Sequence, residues 1–98
     1  MNESNTSKKF LQSYLYTDEF GKFFVSTCYR RSSGNPFVWF YETFAWKLDK
    51  DNHRTDWVAD NSGATSQSEA YDQHIEIVRQ LELKGEFKEV NHEIKSGI

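Results

Sequence analysis

The segment from Phe37 to Leu48, FVWFYETFAWKL, constrains the fold more than any other part of the chain. It holds six of the sixteen aromatic residues in twelve positions and contains no glycine or proline. Aromatic and β-branched residues fit the pleated surface of a strand. The segment is therefore predicted to be a central β-strand around which the other elements are arranged.

The two faces of this predicted strand differ in character, because successive side chains alternate between them. One face is apolar except at a single carboxylate and carries Val38, Phe40, Glu42, Phe44, Trp46 and Leu48. The other is aromatic at one end and polar at the other, and carries Phe37, Trp39, Tyr41, Thr43, Ala45 and Lys47. A mixed face of this kind suits a surface that is partly covered or that contacts a partner.

Length and composition indicate one small domain with an aromatic-rich core. A chain of 98 residues, 16% of them aromatic, has room for a single hydrophobic core. The polar start MNESNTSKK lacks the apolar stretch of a signal peptide, and no window reaches the roughly 18 apolar residues of a membrane span. We therefore expect one domain over residues 1–98, a flexible tail over residues 1–9, no membrane association and a cytoplasmic location.

Three further segments have the pattern of strands. Residues 10–16 favour an edge strand over a single helical turn, and residues 22–31 are predicted to form a second strand. A turn-rich loop over residues 32–36 joins this strand to the central one, and a hairpin centred near Gly34 would set Tyr29 opposite Trp39. After a polar loop, residues 54–60 are predicted to form a shorter strand.

One helix is predicted over about residues 67–84. Ser66 as N-cap with Glu69 three residues later forms a capping box, and Lys84 followed by Gly85 is typical of a helix end. Its apolar stripe comprises Ala70, Tyr71, His74, Ile75, Ile77, Val78 and Leu81. The predicted fold class is thus α+β, with a three- to four-stranded antiparallel sheet and this helix packed on one face. Residues 86–98 form either an edge strand or a mobile tail.

Acidic residues are concentrated in the second half of the chain. Residues 1–48 carry a net charge of +2 and residues 49–98 a net charge of −5. The candidate acidic patch consists of Asp49, Asp51, Asp56 and Asp60. A calcium loop is not expected there, because His53 and Arg54 stand at the fifth and sixth positions counted from Asp49, where an EF-hand requires an acidic or amide residue and glycine. We expect neither a metal nor a cofactor.

No combination of residues suggests catalysis, so an enzyme is not expected. Glu42 must find a partner on its apolar face, and Arg30 or His74 could supply it. An ion pair or hydrogen bond with a structural role is preferred over a functional acid. His74 is expected to be a hydrogen-bonded structural residue, and Cys28 a small core residue.

A group of basic and aromatic residues has the composition of a nucleic-acid surface, in which bases stack on rings and phosphates meet arginine. It comprises Tyr29, Arg30, Arg31, Trp39 and Tyr41. Buried aromatic residues beside ordinary surface charges would explain the same composition, and the acidity of the whole chain favours that interpretation.

The segment Tyr41-Glu42-Thr43-Phe44, with the helix residues Ser66, Glu69, Ala70 and His74, resembles small uncharacterised proteins of tailed phages and prophages. The resemblance spans about residues 24–81 and implies a phage or mobile-element origin, but no activity. The order of strands and helix is also similar to that of the DNA-binding modules of the AP2 and integrase arm-binding types, which are strongly basic.

Two functions follow as hypotheses. The first is a phage-borne protein, in the cytoplasm of a bacterial host, that binds and inhibits or redirects a host protein, for example in anti-defence. Its contacts would be the aromatic residues Tyr29, Trp39 and Tyr41 or the patch of Asp49, Asp51, Asp56 and Asp60, acting as a nucleic-acid mimic. The alternative is a nucleic-acid-binding domain that uses Lys22, Arg30, Arg31 and Lys47. A homodimer is compatible with both.

Overall fold

The computed structural model describes residues 7–32, 34 and 38–88. Over these residues the chain forms a four-stranded antiparallel sheet with one helix packed against it, which confirms the predicted α+β class. The strands follow the chain order β1-β2-β3-β4. Their bounds are Ser7–Thr17 for β1, Gly21–Arg31 for β2, Trp39–Leu48 for β3 and Arg54–Ala64 for β4, and helix α1 spans Gln67–Lys84.

Strand β3 lies in the interior of the sheet, as predicted, but its register against β2 differs from the expected one. Tyr29 lies opposite Tyr41 rather than opposite Trp39, because the hairpin closes further along the chain. The backbone N–H of Ser32 donates to the carbonyl of Val38 at 2.8 Å, so pairing resumes just after residue 38. A displacement of two residues preserves the assignment of side chains to faces. Phe37, which was predicted to start the strand, lies outside the described residues.

Strand β1 is the edge strand expected from residues 10–16, and it is longer than predicted. It begins at Ser7, so the last three residues of the expected tail belong to the sheet, while residues 1–6 lie outside the described part of the chain. The turn into β2 is held by Thr17, whose hydroxyl accepts from the N–H of Phe20 at 2.9 Å and donates to the carbonyl of Gly21 at 2.8 Å. Gly21 adopts a φ of 90°, which favours glycine.

Strand β4, at the other edge, continues to Ala64 instead of ending at Asp60. Its pairing with β3 shifts three times, which leaves Thr55, Val58 and Gly63 as extra residues in the strand. Bulges twist an edge strand and interrupt its row of hydrogen-bonding groups. The outer edge of β4 is therefore a poor template for the addition of a further strand.

Helix α1 begins and ends where the sequence predicts. The N–H of Glu69 donates to the Ser66 hydroxyl at 3.1 Å, and the Glu69 carboxylate accepts from the N–H of Thr65 at 3.0 Å. The backbone hydrogen bond from Thr65 lowers the pKa of Glu69. At the other end Gly85 has a φ of 74°, and a side chain there would collide with the ring of Phe20.

The helix covers the mixed face of β3, through a narrower stripe than the sequence suggests. Ala70, His74, Ile77, Gln80 and Leu81 are its buried residues, whereas Tyr71 and Ile75, expected in the stripe, are 52% and 39% exposed. The covered face has small side chains at its centre, which let the helix approach the sheet closely. These are Val25, Thr27, Thr43, Ala45 and Ala59. Phe44 and Trp46 on the apolar face would hold a helix further away.

We expect replacement of Ser66 by alanine to lower the free energy of unfolding by about 0.5 to 2 kcal/mol, because the N–H of Glu69 loses its acceptor. Equilibrium denaturation measures the change. Ser68→Ala is the matched control, since Ser68 lies two residues further along and is also exposed. It should change stability by less than about 0.5 kcal/mol. A loss below about 0.3 kcal/mol for Ser66→Ala would show that the cap does not hold this end of the helix.

Candidate functional site

The face of the sheet opposite α1, here called the open face, is covered by no other element of the described residues. Across it, each strand contributes one ring to a single row. Tyr14 of β1 lies opposite Phe24 of β2, Phe24 lies opposite Trp46 of β3, and Trp46 lies opposite Trp57 of β4. We call these four residues the aromatic row.

The rings of the aromatic row are linked by contacts, either directly or through Phe44. The ring centroids of Tyr14 and Phe24 are 4.6 Å apart, and those of Phe24 and Trp46 are 5.8 Å apart. Phe44, one row away, bridges Trp46 at 5.8 Å and Trp57 at 5.6 Å. The two ends of the row face solvent, since Tyr14 is 56% and Trp57 is 60% exposed, whereas Phe24 in the middle is 5% exposed.

The Arg54 side chain stacks on the two middle rings of the aromatic row. Its guanidinium carbon lies 4.3 Å from the ring centroid of Trp46 and 5.0 Å from that of Phe24. A guanidinium over an aromatic face is attracted by the ring quadrupole and shields the ring from water. The open face therefore has exposed rings at both edges and a cation stacked at its centre.

The open face is positively charged, although the chain as a whole carries −3. Within the described residues the strand register places four cations and two carboxylates on it. These are Lys9, Lys22, Arg30 and Arg54 together with Glu42 and Asp60. The other acidic residues that the structure describes lie in the loops, on the helix and on the helix side of β4.

Some of these charges are already paired. Arg30 donates to the Glu42 carboxylate at 2.6 Å, which gives Glu42 the cation partner that the sequence required. The Lys22 ammonium donates to the carbonyl of Lys50 at 3.0 Å and to the side-chain oxygen of Asn52 at 3.1 Å. The Asp60 carboxylate has no hydrogen bond or ion pair with any residue that the structure describes.

The residues predicted for nucleic-acid binding are divided between the two faces of the sheet. Lys22 and Arg30 lie on the open face, whereas Arg31 and Lys47 lie on the helix side. Lys47 is also engaged, since its ammonium donates to the carbonyl of Phe20 at 2.8 Å. Sequence reasoning missed Arg54, which the β4 register brings onto the open face.

The predicted aromatic contacts do come together, but on the helix side. The rings of Tyr29 and Trp39 stack at 4.8 Å with planes 14° apart, and Tyr29 also contacts Tyr41 at 4.6 Å. Phe10 packs on Tyr41 at 5.1 Å, and Tyr41 is 7% exposed. This group, with Ala64 and Ala70, forms a second small core beside the start of α1.

The acidic candidates follow the β3–β4 hairpin and do not form a patch on one face. In the strand register, Asp56 lies opposite Lys47 on the helix side, while Asp60 lies opposite Phe44 on the open face. In the loop, Asp49 accepts from the N–H groups of Asp51 at 2.8 Å and His53 at 2.9 Å. The bond from His53 is the main reason why the pKa of Asp49 is lowered.

Asp49, Asp51 and His53 also place three potential ligand atoms within 4.8 Å of one another. One oxygen of Asp49 already holds the loop by accepting two backbone N–H groups. Asp51 and His53 are exposed, so the group has the character of a solvated turn.

His74 is completely buried between the helix and three strands. Its Nδ1 lies 2.8 Å from the Thr27 hydroxyl and its Nε2 lies 2.8 Å from the Ser13 hydroxyl. The Thr27 hydroxyl in turn lies 2.6 Å from that of Thr43. Burial lowers the pKa of His74 from 6.5 to about 4, so the ring is neutral at pH 7. With both nitrogens occupied, His74 is a structural residue.

Cys28 differs from its expected place in the core. It is half-buried and shares a face with Phe24 and Ser26, because alternation along β2 points it away from the helix. Its sulfur lies 3.7 Å from the Ser26 hydroxyl.

The fold and the open face define the class of this protein as a small α+β domain with one covered and one uncovered sheet face. No protein-family model, curated protein or solved structure matches the chain. The resemblance to phage proteins therefore stays a prediction. In the part of the chain that the structure describes, no helix is long and apolar enough to cross a membrane.

We expect the stability of the protein to fall as pH drops from 6.5 towards 4. In this range His74 takes up a proton in the unfolded chain but stays neutral in the folded one. Protonation therefore stabilises the unfolded state and lowers the free energy of unfolding. The loss should be about 3 kcal/mol in total. Denaturation of the wild type and of His74→Gln over this pH range checks it.

The glutamine variant keeps a donor and an acceptor but cannot titrate, and it shares every carboxylate with the wild type. The difference between the two pH profiles therefore isolates the histidine. Equal slopes for both proteins would contradict a neutral buried ring.

Proposed function

We propose that this protein acts by binding another protein through the open face. Following the phage resemblance, the partner is a host protein that the bound domain inhibits or redirects, as an anti-defence factor would. The aromatic row is the observation that carries the proposal. The tyrosine and tryptophan at its ends remain more than half exposed, in a chain whose helix packs elsewhere.

The residue types of the open face support a protein partner. Interface residues that contribute most to affinity are enriched in Trp, Tyr and Arg and lie in the centre of the contact. Here Trp57, Tyr14 and Arg54 belong to one continuous group of stacked side chains. Polar and charged residues surround that group, as they surround the apolar centre of known interfaces.

The size of the open face also supports the proposal. The sheet has four strands, three of them eleven residues long. At about 4.8 Å between strands and about 3.3 Å per residue, the face covers about 700 Å². A specific protein interface needs about 800 Å² from each partner. The open face is thus nearly sufficient for a whole interface.

The acidic residues of the β3–β4 hairpin offer a second contact beside the open face. If they take part, replacing Asp49, Asp51, Asp56 and Asp60 by lysine should weaken partner binding and flatten its dependence on salt. Long-range attraction between charges is screened by salt, so its removal leaves a less salt-sensitive complex. Binding of the identified partner at two salt concentrations measures the effect. An unchanged affinity would show that these four carboxylates lie outside the contact.

Site-specific cross-linking tests the location of the binding surface. A photoreactive phenylalanine at position 57 should cross-link a host protein in bacteria, whereas the same group at position 71 should not. Both positions hold exposed aromatic residues, and Tyr71 lies on the outer side of the helix. With the partner identified and purified, Trp57→Ala should weaken binding about tenfold or more, and Tyr71→Ala should leave it unchanged. Cross-links from position 71 alone would overturn the proposal.

Nucleic acid is a second candidate partner, favoured by the four cations on the open face. Single strands bind on aromatic rings and on arginine planes, and Arg54 over Trp46 offers such a plane. Fluorescence anisotropy with single-stranded DNA and RNA at two salt concentrations decides between the candidates. Salt-sensitive micromolar binding that is lost in Lys9→Glu and Lys22→Glu would favour nucleic acid.

A further inference from the structure

We infer that the open face binds a second copy of this chain, giving a two-fold symmetric dimer whose sheets pack face to face. The inference rests on the part of the proposed function that assigns a protein to the open face. In the free protein the second copy covers the aromatic row, and another partner would have to displace it.

The size and composition of the open face favour a second copy there. Its roughly 700 Å² approaches the roughly 800 Å² per partner of a stable interface. Tyr14, Tyr16 and Trp57 are 56%, 64% and 60% exposed on it. Aligned packing of two sheets, about 10 Å apart, buries rings of this kind on both sides.

The arrangement of charge along β4 also favours a second copy. Trp57 belongs to the aromatic row, Arg54 precedes it by three residues and Asp60 follows it by three. The register places Arg54 opposite Leu48 and Asp60 opposite Phe44, which are the β3 positions on either side of Trp46 in the open face. A cation and a carboxylate therefore flank the aromatic row at equal distances on the same strand.

A two-fold interface requires a surface that matches itself. An axis along the aromatic row places the row of one protomer on the row of the other and exchanges the two flanking rows. In backbone position, Arg54 of each protomer then lies opposite Asp60 of its partner. The symmetry produces this pair twice. The aromatic row itself is compatible with any order of rings, because every position holds one.

In the single chain, charged groups on the open face keep hydrogen-bonding capacity that the described residues do not use. Asp60 is exposed and lacks a polar partner among the described residues, and Arg54 uses only the plane of its guanidinium, on Trp46 and Phe24. The N–H groups at the rim of that guanidinium are donors that a carboxylate can accept from. Dimerisation through edge β4 is disfavoured by its three bulges.

A charge exchange tests the arrangement. Sedimentation velocity of the full chain from low micromolar to about 1 mM should show a dimer for the wild type. Arg54→Glu and Asp60→Arg should each weaken it about tenfold or more, since each sets like charges against one another. The double variant Arg54→Glu with Asp60→Arg restores both pairs and should return to within about threefold of the wild type. Asp56→Arg makes the same charge change on the helix side of β4 and should leave the dimer intact.

A second measurement does not depend on substitutions at charged positions. A photoreactive phenylalanine at position 57 in the purified protein should give a covalent dimer, and the same group at position 71 should not. Circular dichroism confirms that each variant is folded. Asp60→Arg keeps the stack of Arg54 on the rings, so its effect cannot come from loss of that stack.

A wild-type monomer at the highest concentration would overturn the inference, as would a dimer that both single variants leave unchanged or a double variant that does not recover. These results bear on the dimer alone. If position 57 cross-links a host protein while the purified chain is monomeric, the proposed function stands without the dimer. If the charge exchange behaves as expected and position 57 cross-links only a second copy, the dimer stands and the host-protein proposal fails.

Discussion

The hydrogen bonds that the buried His74 makes with the hydroxyls of Thr27 and Ser13 decide how this sheet is covered. A neutral imidazole needs one donor and one acceptor in the interior, and an unpaired polar atom there costs about 1 to 3 kcal/mol. The hydroxyls of Thr27 and Ser13 meet this need on the mixed face of the sheet. On the open face, Phe24, Phe44 and Trp46 fill the same part of the sheet with rings, and the two polar side chains beside them, Gln12 and Ser26, bond to each other at 2.6 Å. Helix α1 therefore packs on the face with the lower aromatic content, and the aromatic row is left open.

The covered face and the open face consequently have separate tasks. Stability comes from a compact core in which Phe23, Val25 and Ala45 meet Ile77 and Leu81. The open face contributes its rings and charges without being needed to hold the helix. Changes at Trp57 or Asp60 can therefore alter binding with little effect on the core, while changes around His74 act on the fold.

The sequence predicts those parts of the fold that depend on local signals. The bounds of α1 follow from Ser66 and Gly85, and the central position of β3 follows from its aromatic content. The open face depends on register, which local patterns specify poorly. The bulge at Thr55 decides that Arg54 and Trp57 share a face, and the bulge at Val58 decides that Asp60 joins them; neither has a signal in the sequence. The cation partner of Glu42 could be predicted from the sequence, because alternation along the strands places Arg30 on the same face.

Arg54 sets the conditions under which the open face can be occupied. By stacking on Trp46 and Phe24 it shields the most apolar part of the aromatic row and keeps the uncovered protein compatible with water. A partner must then either displace the guanidinium, losing that contact, or accept hydrogen bonds from it. The second course is favoured, because a desolvated guanidinium without an acceptor is costly. A carboxylate above the centre of the row, surrounded by apolar groups that meet Tyr14 and Trp57, is therefore the feature that any protein bound here is expected to share.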